Sequence, residues 1–469
     1  MSKESSREAE ANPREDDEVL HRDPSYFQYY SQLQHQQNML QDYVRTSSYH
    51  SAITLNGAAL FRDRIVMDVG AGSGILSFFA AQAGAKHVHA VEASGMANKM
   101  KVILEAAKRK NAARNAYLAD RITVVGSKIE DPRLLESTPK VDVIISEPIG
   151  VLLVHERMLE SFVYARDKFL RPGGAMLPSS GTIHLAPISD AALWNETITK
   201  ARFWQQDSFY GVDLNPYFAP AFDEFFSAPV VGCFSPTTLI GDSVQCEVDF
   251  HTVTLAGLKE FVIPIDWQIK YTGLMHGVAG WFDLAFVPPA SSLHPGTKSS
   301  TVYMSTSPSS PATHWQQVRL LLKQPLAVNA GQVIRGQVSM KVNDQRSYDM
   351  EARIIALDEE EEEAATLTEE GLSLLLDSQK SRTRSALWYL HEQTYNYAYT
   401  GEPLEPAKPE NANLYLPVES LLAESIAPAQ RLPSTSHASL VSSVHGVADS
   451  QTDFIVTSSS NQDPNAMQY

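Results

Sequence analysis

The run Met67-Asp68-Val69-Gly70-Ala71-Gly72-Ser73-Gly74-Ile75-Leu76 restricts what this chain can fold into more than any other stretch. Arg64 to Val69 reads as a strand, three glycines follow at alternate positions, and Ile75 to Ala83 reads as an apolar helix. A strand that turns through glycines into a helix is the βα unit of a parallel sheet, where missing side chains let backbone approach a ligand closely. A second strand, Val88 to Val91, ends at Glu92, where a carboxylate can accept both hydroxyls of a ribose. A dinucleotide is the obvious competitor. The turn, however, reads Gly-x-Gly-x-Gly, and Asp68 stands two residues ahead of it. That spacing favours S-adenosylmethionine, whose methionyl amine needs acceptors and which has no pyrophosphate to seat on a helix N-terminus.

A second stretch supplies chemistry. The apolar run Val141 to Ile145 reads as a buried strand, Glu147 stands where it ends, and a helical pattern begins at Met158, Leu159, Phe162 and Val163. Glu156 lies between them, beyond Pro148 and Gly150, so a hairpin-like excursion brings both carboxylates to one opening at the carboxyl end of the sheet. Two close carboxylates repel unless a positive group lies between them. A guanidinium suits that place, being planar, permanently charged and forked to match carboxylates. The plainer alternative has Glu147 capping a helix and Glu156 in solvent.

Composition narrows the class. With 469 residues the chain can hold two or more cored domains, and its longest apolar runs fall far short of a membrane span. The polar opening Met1-Ser2-Lys3-Glu4-Ser5 carries no signal-peptide pattern. Two cysteines, Cys233 and Cys246, fit a reducing compartment, supply no metal cluster and read as buried structural thiols. A net charge of -17, from 55 acids against 38 bases, disfavours nucleic acid and favours basic partners such as arginine-rich protein tails.

Beyond Pro178 the texture changes to short alternating stretches such as Gln245 to Phe250 and Val338 to Val342, which predict a β-sandwich or barrel. Residues 203–229 interrupt it with an aromatic-rich, partly helical excursion whose apolar surface needs a partner. Residues 1–23 read as disordered. The barrel is expected to end near Leu357, followed by an acidic run from Asp358 to Glu363, short helices at Leu372–Leu376 and Ala386–Leu390, and a Pro-, Ser- and Thr-rich tail.

Together these motifs resemble the type I protein arginine methyltransferases, most closely the coactivator-associated subfamily of histone-arginine methyltransferases. The matching stretches are Tyr26 to Tyr30, Gln36 to Thr46, Asp68 to Gly74, Val91 to Ser94, the double-glutamate loop and Thr313-His314-Trp315, in the family's order, across residues 24–357. The resemblance implies an α/β fold: a Rossmann-like S-adenosylmethionine domain (62–178) under an N-terminal helical lid (24–61), then a β-barrel substrate domain (179–357) carrying a dimerisation arm (203–229), and a tail (358–469). It implies a homodimer, transfer of methyl to arginines of histones and other basic proteins, mono- and asymmetric dimethylarginine as products, and residence in nucleus and cytoplasm. It also implies that the long N-terminal accessory domain of some subfamily members is absent.

The resemblance assigns Glu147 and Glu156 to the guanidinium, and a paired His314 and Asp42 to closing the site and carrying a proton. It assigns Phe27, Tyr30, Gln36, Met39 and Arg45 of the lid to the cofactor, with Arg45 on the methionyl carboxylate and Met39 beside the methyl. Asp68, Gly70, Gly72, Gly74 and Glu92 form the rest of the cofactor cradle, with Ile129 framing adenine, Glu130 accepting from its amino group and Ser161 nearby. Without the resemblance the lid aromatics would read as core and His314-Trp315 as structural. Ile149, Val151 and His155 depart from subfamily habit and alter the walls of the substrate channel, and Val287 to Ser300 looks like an enlarged barrel loop. Two other readings stand beside this one: a cofactor-binding scaffold without useful catalysis, and a small-molecule methyltransferase, which would leave barrel and arm without a purpose.

Overall fold

The computed structural model describes residues 25–109, 115–358, 361 and 369–395. The expectations for residues 1–23, for most of the acidic run and for the tail beyond 395 lie outside them. All the described residues belong to one unit, Met1–Leu404.

Five parallel strands, β1 (Ile65–Val69), β2 (His87–Val91), β3 (Ile122–Val125), β4 (Val141–Ser146) and β5 (Leu170–Leu177), lie in the order β3-β2-β1-β4-β5. The central strands β1 and β4 are near-continuous buried runs, as in a parallel sheet covered on both faces. The strand order reverses between β1 and β4, the place where open α/β sheets bind ligands. Register there pairs Val69 with Ser146, so the glycine turn and Glu147 leave the sheet side by side. The Ser146 hydroxyl donates to the Val69 carbonyl at 2.6 Å and ties the two strand ends together.

Four helical pieces precede the sheet: residues 25–30, Leu33–Gln41 (here α1), Tyr43–Thr54 (α2) and a single π-helical turn, Gly57–Phe61. Asp42, extended at φ −70° and ψ 92°, separates α1 from α2 and caps α2 by accepting from the Arg45 amide. After β1 comes α3 (Ile75–Gln82), after β2 α4 (Met96–Ala107), and before β5 α5 (Met158–Phe169).

The second half packs two sheets face to face, antiparallel throughout except where β16 (Thr394–Tyr395) runs parallel to β7 (Val230–Val231). One contains β6 (Ser180–Ile188), β7 (Val230–Val231), β8 (Val244–Asp249), β10 (Gly273–Phe286), β11 (Val302–Ser305), β12 (Val318–Val328) and β16 (Thr394–Tyr395). The other runs β15 (Thr383–Tyr389), β14 (Tyr348–Ala356), β13 (Val333–Val342), β9 (Glu260–Gln268). Trp267 and Trp388, both fully buried, cross between the sheets and donate to the carbonyls of Leu185 and Leu321. In β9 buried and exposed residues alternate, with one face on the core and the other in solvent.

Three expectations need correction. The barrel does not stop near Leu357, because β15 pairs with β14 along its length and β16 with β7. Ala386–Leu390 is consequently strand, not helix: β14 leaves an edge to be paired, and Trp388 and Leu390 bury on one side while Leu387 faces outward. Leu372–Leu376 is helical, within Glu369–Ser378. Cys233 and Cys246 are free thiols and only partly buried.

The excursion from the barrel comprises α6 (Ala191–Arg202) and α7 (Phe218–Ser227) with an aromatic tip between them. At the tip Phe209 pairs with Val212 through the left-handed residues Tyr210 and Gly211, and Tyr210 is 95% exposed. The enlarged loop after β10 straps the barrel to the first domain: Asn56 exchanges two hydrogen bonds with the backbone of Ser300, and the His294 amide donates to the Ala59 carbonyl.

Candidate active site

Four strands end on one cavity of about 730 Å³, which is closed by α1 and by the barrel. The glycine turn forms its floor. Gly70, Gly72 and Gly74 have φ of 70°, 54° and 86°, a left-handed run that side chains would strain. A Cβ on Gly72 would come within 2.9 Å of the Gln36 carboxamide oxygen, which accepts from the Ser73 amide and ties lid to turn. Gly74 lies outside the cavity lining and starts α3.

Asp68 is wholly buried beneath the turn. The Ser77 hydroxyl donates to its Oδ2 at 2.7 Å, while Oδ1 has no partner. Burial pushes its pKa up to about 7. Asp68 lies outside the cavity lining, so in this arrangement its free oxygen is turned to the interior beneath the turn. Glu92 lines the cavity and accepts from the amides of Gly72 and Ser94, both at 2.7 Å, leaving lone pairs for hydroxyls. Further along the same wall are buried Ile129 and the pair Glu130 and Ser161, whose hydroxyl donates to the carboxylate at 2.6 Å. Phe27 and Met39 face the cavity from the lid, with Lys128 Nζ 5.5 Å from the Phe27 ring centre.

The double-glutamate loop is a tight excursion, as Pro148 and Gly150 suggest. Gly150 and Leu153 form a bridge, and a Cβ on Gly150 would sit 2.1 Å from the His155 carbonyl oxygen. Leu152, Leu153, Glu156 and Arg157 are all left-handed without being glycine. Such strain persists only where surroundings enforce it, and it gathers at functional sites. Leu152 and Leu153 are buried, while Glu156 is turned into the cavity.

The two carboxylates have different partners. Glu147 Oε2 accepts from Arg45 Nε at 3.0 Å and Nη2 at 2.7 Å. Arg45, expected on a cofactor carboxylate, is therefore paired with the first glutamate here. Glu156 accepts from the hydroxyls of Tyr30 at 2.7 Å and Tyr26 at 2.9 Å. Burial raises the Glu156 pKa, the tyrosine hydrogen bonds oppose the rise, and Glu147 adds to it. Both tyrosines are themselves pushed well up, by burial first and then by Glu156, and stay donors.

His314 and Asp42 meet as expected. Asp42 Oδ2 accepts from the His314 amide at 2.8 Å and lies 2.7 Å from its Nδ1. Burial alone would raise the Asp42 pKa, but these bonds and the Arg45 amide hold it below the usual range. Asp42 stands behind His314, outside the cavity lining.

Several contributors escape a reading of the sequence. Tyr26 is one helical turn from Tyr30 and on its face, a spacing that could have revealed it. Trp315 is buried and donates to the Ile149 carbonyl at 3.0 Å, anchoring the loop to the barrel. Arg346, from the β13–β14 turn, lies 4.3 Å over the Tyr26 ring, and nothing nearby in sequence announces it.

Comparison with known proteins bears on this arrangement. A family model described as the arginine methyltransferase oligomerization subdomain matches residues 179–355, and one described as ribosomal protein L11 methyltransferase matches residues 53–184. The solved structure of Arabidopsis thaliana protein arginine methyltransferase 10, in an open conformation, is 30% identical with a TM-score of 0.61, over 71% of this chain and 95% of that one. The chain belongs to the protein arginine methyltransferase family. The Trypanosoma brucei PRMT1 enzyme-prozyme heterotetrameric complex with AdoHcy is 27% identical with a TM-score of 0.60, covering 77% of this chain and 99% of that one. Among curated protein arginine methyltransferases, the probable histone-arginine methyltransferase 1.3 of Arabidopsis thaliana is 47% identical over 71% of this chain. The probable histone-arginine methyltransferase CARM1 of Oryza sativa is 48% identical over 69%. The chain spans 58% and 57% of these two relatives' lengths.

Proposed function

We propose that the chain is an S-adenosylmethionine-dependent protein arginine N-methyltransferase of type I. The observation that carries this is the convergence of Glu147 and Glu156 on the cavity floored by the glycine turn. Asp68, Glu92, Glu130 and the lid residues Phe27, Gln36 and Met39 would hold the cofactor, which supplies a methyl group already electrophilic on its sulfonium. The harder partner is the guanidinium, whose lone pairs are delocalised over a cation. Glu147 and Glu156 grip it pairwise, aim one nitrogen at the methyl and draw positive charge to the other nitrogens. The attacking nitrogen becomes acidic as the new bond forms and passes its proton to a glutamate or toward the Asp42–His314 pair.

Histones and other basic proteins are the proposed substrates, in keeping with a net charge of -17 and with the names of the relatives. A homodimer built through the arm follows from its exposed aromatic tip and the oligomerization subdomain. Histone substrates favour action in the nucleus, and presence in the cytoplasm is proposed beside it. No helix among the described residues is long and apolar enough to cross a membrane.

The test is methyl transfer from labelled S-adenosylmethionine to a histone mixture and an arginine-rich peptide library, read by mass spectrometry. Mono- and asymmetric dimethylarginine are expected. Symmetric product would overturn the type I reading, and absence of product despite cofactor binding would favour a scaffold.

A further inference from the structure

The strained residues Glu156 and Arg157 are gripped by a part of the barrel to which no role has been given so far: the β13–β14 turn, residues 343–347. Arg157 Nη1 donates to the Asn343 carbonyl at 3.1 Å, and His155 Nδ1 lies 2.8 Å from the Ser347 hydroxyl. Between these ties Arg346, itself left-handed at φ 55°, donates from Nη2 to the Glu156 carbonyl at 3.4 Å. The same guanidinium lies over the ring of Tyr26, whose hydroxyl donates to the Glu156 carboxylate. One side chain thus touches both the backbone of the second glutamate and the lid tyrosine that holds its side chain.

We propose that Arg346 is a positioning residue for Glu156, clamping the left-handed backbone from below and the lid tyrosine from above so that the carboxylate stays aimed into the cavity. The inference rests on the methyl-transfer reading above. Backbone at φ 72° is unfavourable for glutamate and returns to ordinary conformations unless held. Barrel, lid and cofactor domain meet at this guanidinium, so correct assembly of all three aligns the second carboxylate.

Charge adds a second effect. Glu156 is faced by Tyr26 and Tyr30 from the lid, by Glu147 with Arg45 against it from the end of β4, and by Arg346 from the barrel. On its own loop it is flanked by His155 and by Arg157, which is paired with Glu160, and His391 stands beyond His155. Burial keeps His155 neutral, with a pKa of about 4, so after the Tyr30 and Tyr26 hydrogen bonds it is Arg346, and not His155, whose charge opposes the rise in the Glu156 pKa. Only ionised Glu156 can grip a guanidinium, so the acid limb of turnover reports on that opposition.

The experiment compares wild type, Arg346→Met and Arg346→Lys in full-length protein. Measurements are kcat and KM for S-adenosylmethionine and an arginine peptide, the pH profile of kcat, and thermal unfolding. Arg346→Met is expected to lower kcat roughly ten- to hundredfold with cofactor KM little changed. Its acid limb should move to higher pH, since removing a nearby positive charge raises a carboxyl pKa. Arg346→Lys restores the charge and with it the limb, but keeps a reduced kcat because an ammonium cannot stack and fork as a guanidinium does. Wild-type kcat in both variants overturns the proposal, as does a loss of kcat and cofactor binding together with an unmoved limb. If Arg346→Met does not fold, the Lys variant decides alone: reduced kcat at normal cofactor KM supports the clamp, and wild-type kcat overturns it. A wild-type protein that transfers no methyl is a separate result and overturns the methyl-transfer reading itself.

Discussion

Replacing Glu147 by Gln separates the roles of the two glutamates, because their partners differ in charge. Arg45 puts two donors on Glu147 Oε2, and the side chains are only 8% and 10% exposed. Neutralising Glu147 leaves a buried guanidinium with one weakened acceptor, the situation in which removing one partner of a buried pair costs about 3 kcal/mol or more. Glu156, by contrast, accepts from two neutral hydroxyls, and an amide oxygen can take that place at a cost of about 1 kcal/mol or less. Both substitutions take a negative charge from the place where the substrate guanidinium is gripped. Each is therefore expected to slow methyl transfer by about a thousandfold, or about 4 kcal/mol of barrier.

Single-turnover transfer with saturating labelled cofactor, beside thermal unfolding of each variant, reads both quantities. The expected pattern is a large rate loss in Glu147→Gln and Glu156→Gln, but clear destabilisation only in Glu147→Gln. Cofactor affinity should stay within a few-fold in Glu147→Gln, since that carboxylate touches Arg45 and not the glycine turn. Transfer within about tenfold of wild type in Glu147→Gln would refute the double-glutamate assignment. Equal loss of stability in both variants would refute the claim that only Glu147 neutralises a buried charge.

Two further outcomes follow from other parts of the molecule. Asp68 has a folded pKa raised to about 7, so the folded state takes up its proton first; the stability this contributes is full below about pH 4 and is lost as pH rises toward 7, and Asp68→Asn should flatten that part of the unfolding profile relative to wild type without ligand. At the arm, Tyr210→Asp places a charge on an exposed tip whose burial a dimer would require, so sedimentation velocity should show a dimer for wild type and mainly monomer for the variant; an unchanged dimer would show that the contact lies elsewhere.

Local pattern carried much of this site. Glycines at positions 70, 72 and 74 could hardly serve another purpose, and all three are left-handed. Glu92 and Glu147 were legible because strand ends were legible. What escaped were relations across the chain. That β1 and β4 are neighbours, which brings the turn beside Glu147, is a matter of strand order and leaves no local trace. The left-handed geometry of Glu156 is imposed by its surroundings, since glutamate has no preference for it. Ala386–Leu390 was misread because a short apolar run suits a helix or a buried strand equally well until its neighbours are known. Arg346 shows the limit most plainly, standing 190 residues from Glu156 in a turn that looks solvated.

The ties between the halves also say which parts of the lid can move. Helix α2 is held to the barrel at both ends, through Asp42 and His314 at its start and through Asn56 and Ser300 just past its finish. Tyr49 in its middle packs edge-on against Phe286 of β10. Arg45 rides on this fixed strut, so it can leave Glu147 only by turning its side chain, not by displacement of the helix. Helix α1 buries only Gln36, whose contact with Ser73 depends on the glycine turn, and the extended residue Asp42 joins it to α2. A movement that opened the cavity would therefore have to displace the segment before Asp42, at the extended residue that joins it to α2. That segment carries Tyr26 and Tyr30, so raising it removes both donors from Glu156. In such a movement, access to the cavity and loss of the Tyr26 and Tyr30 donors from the second carboxylate would go together.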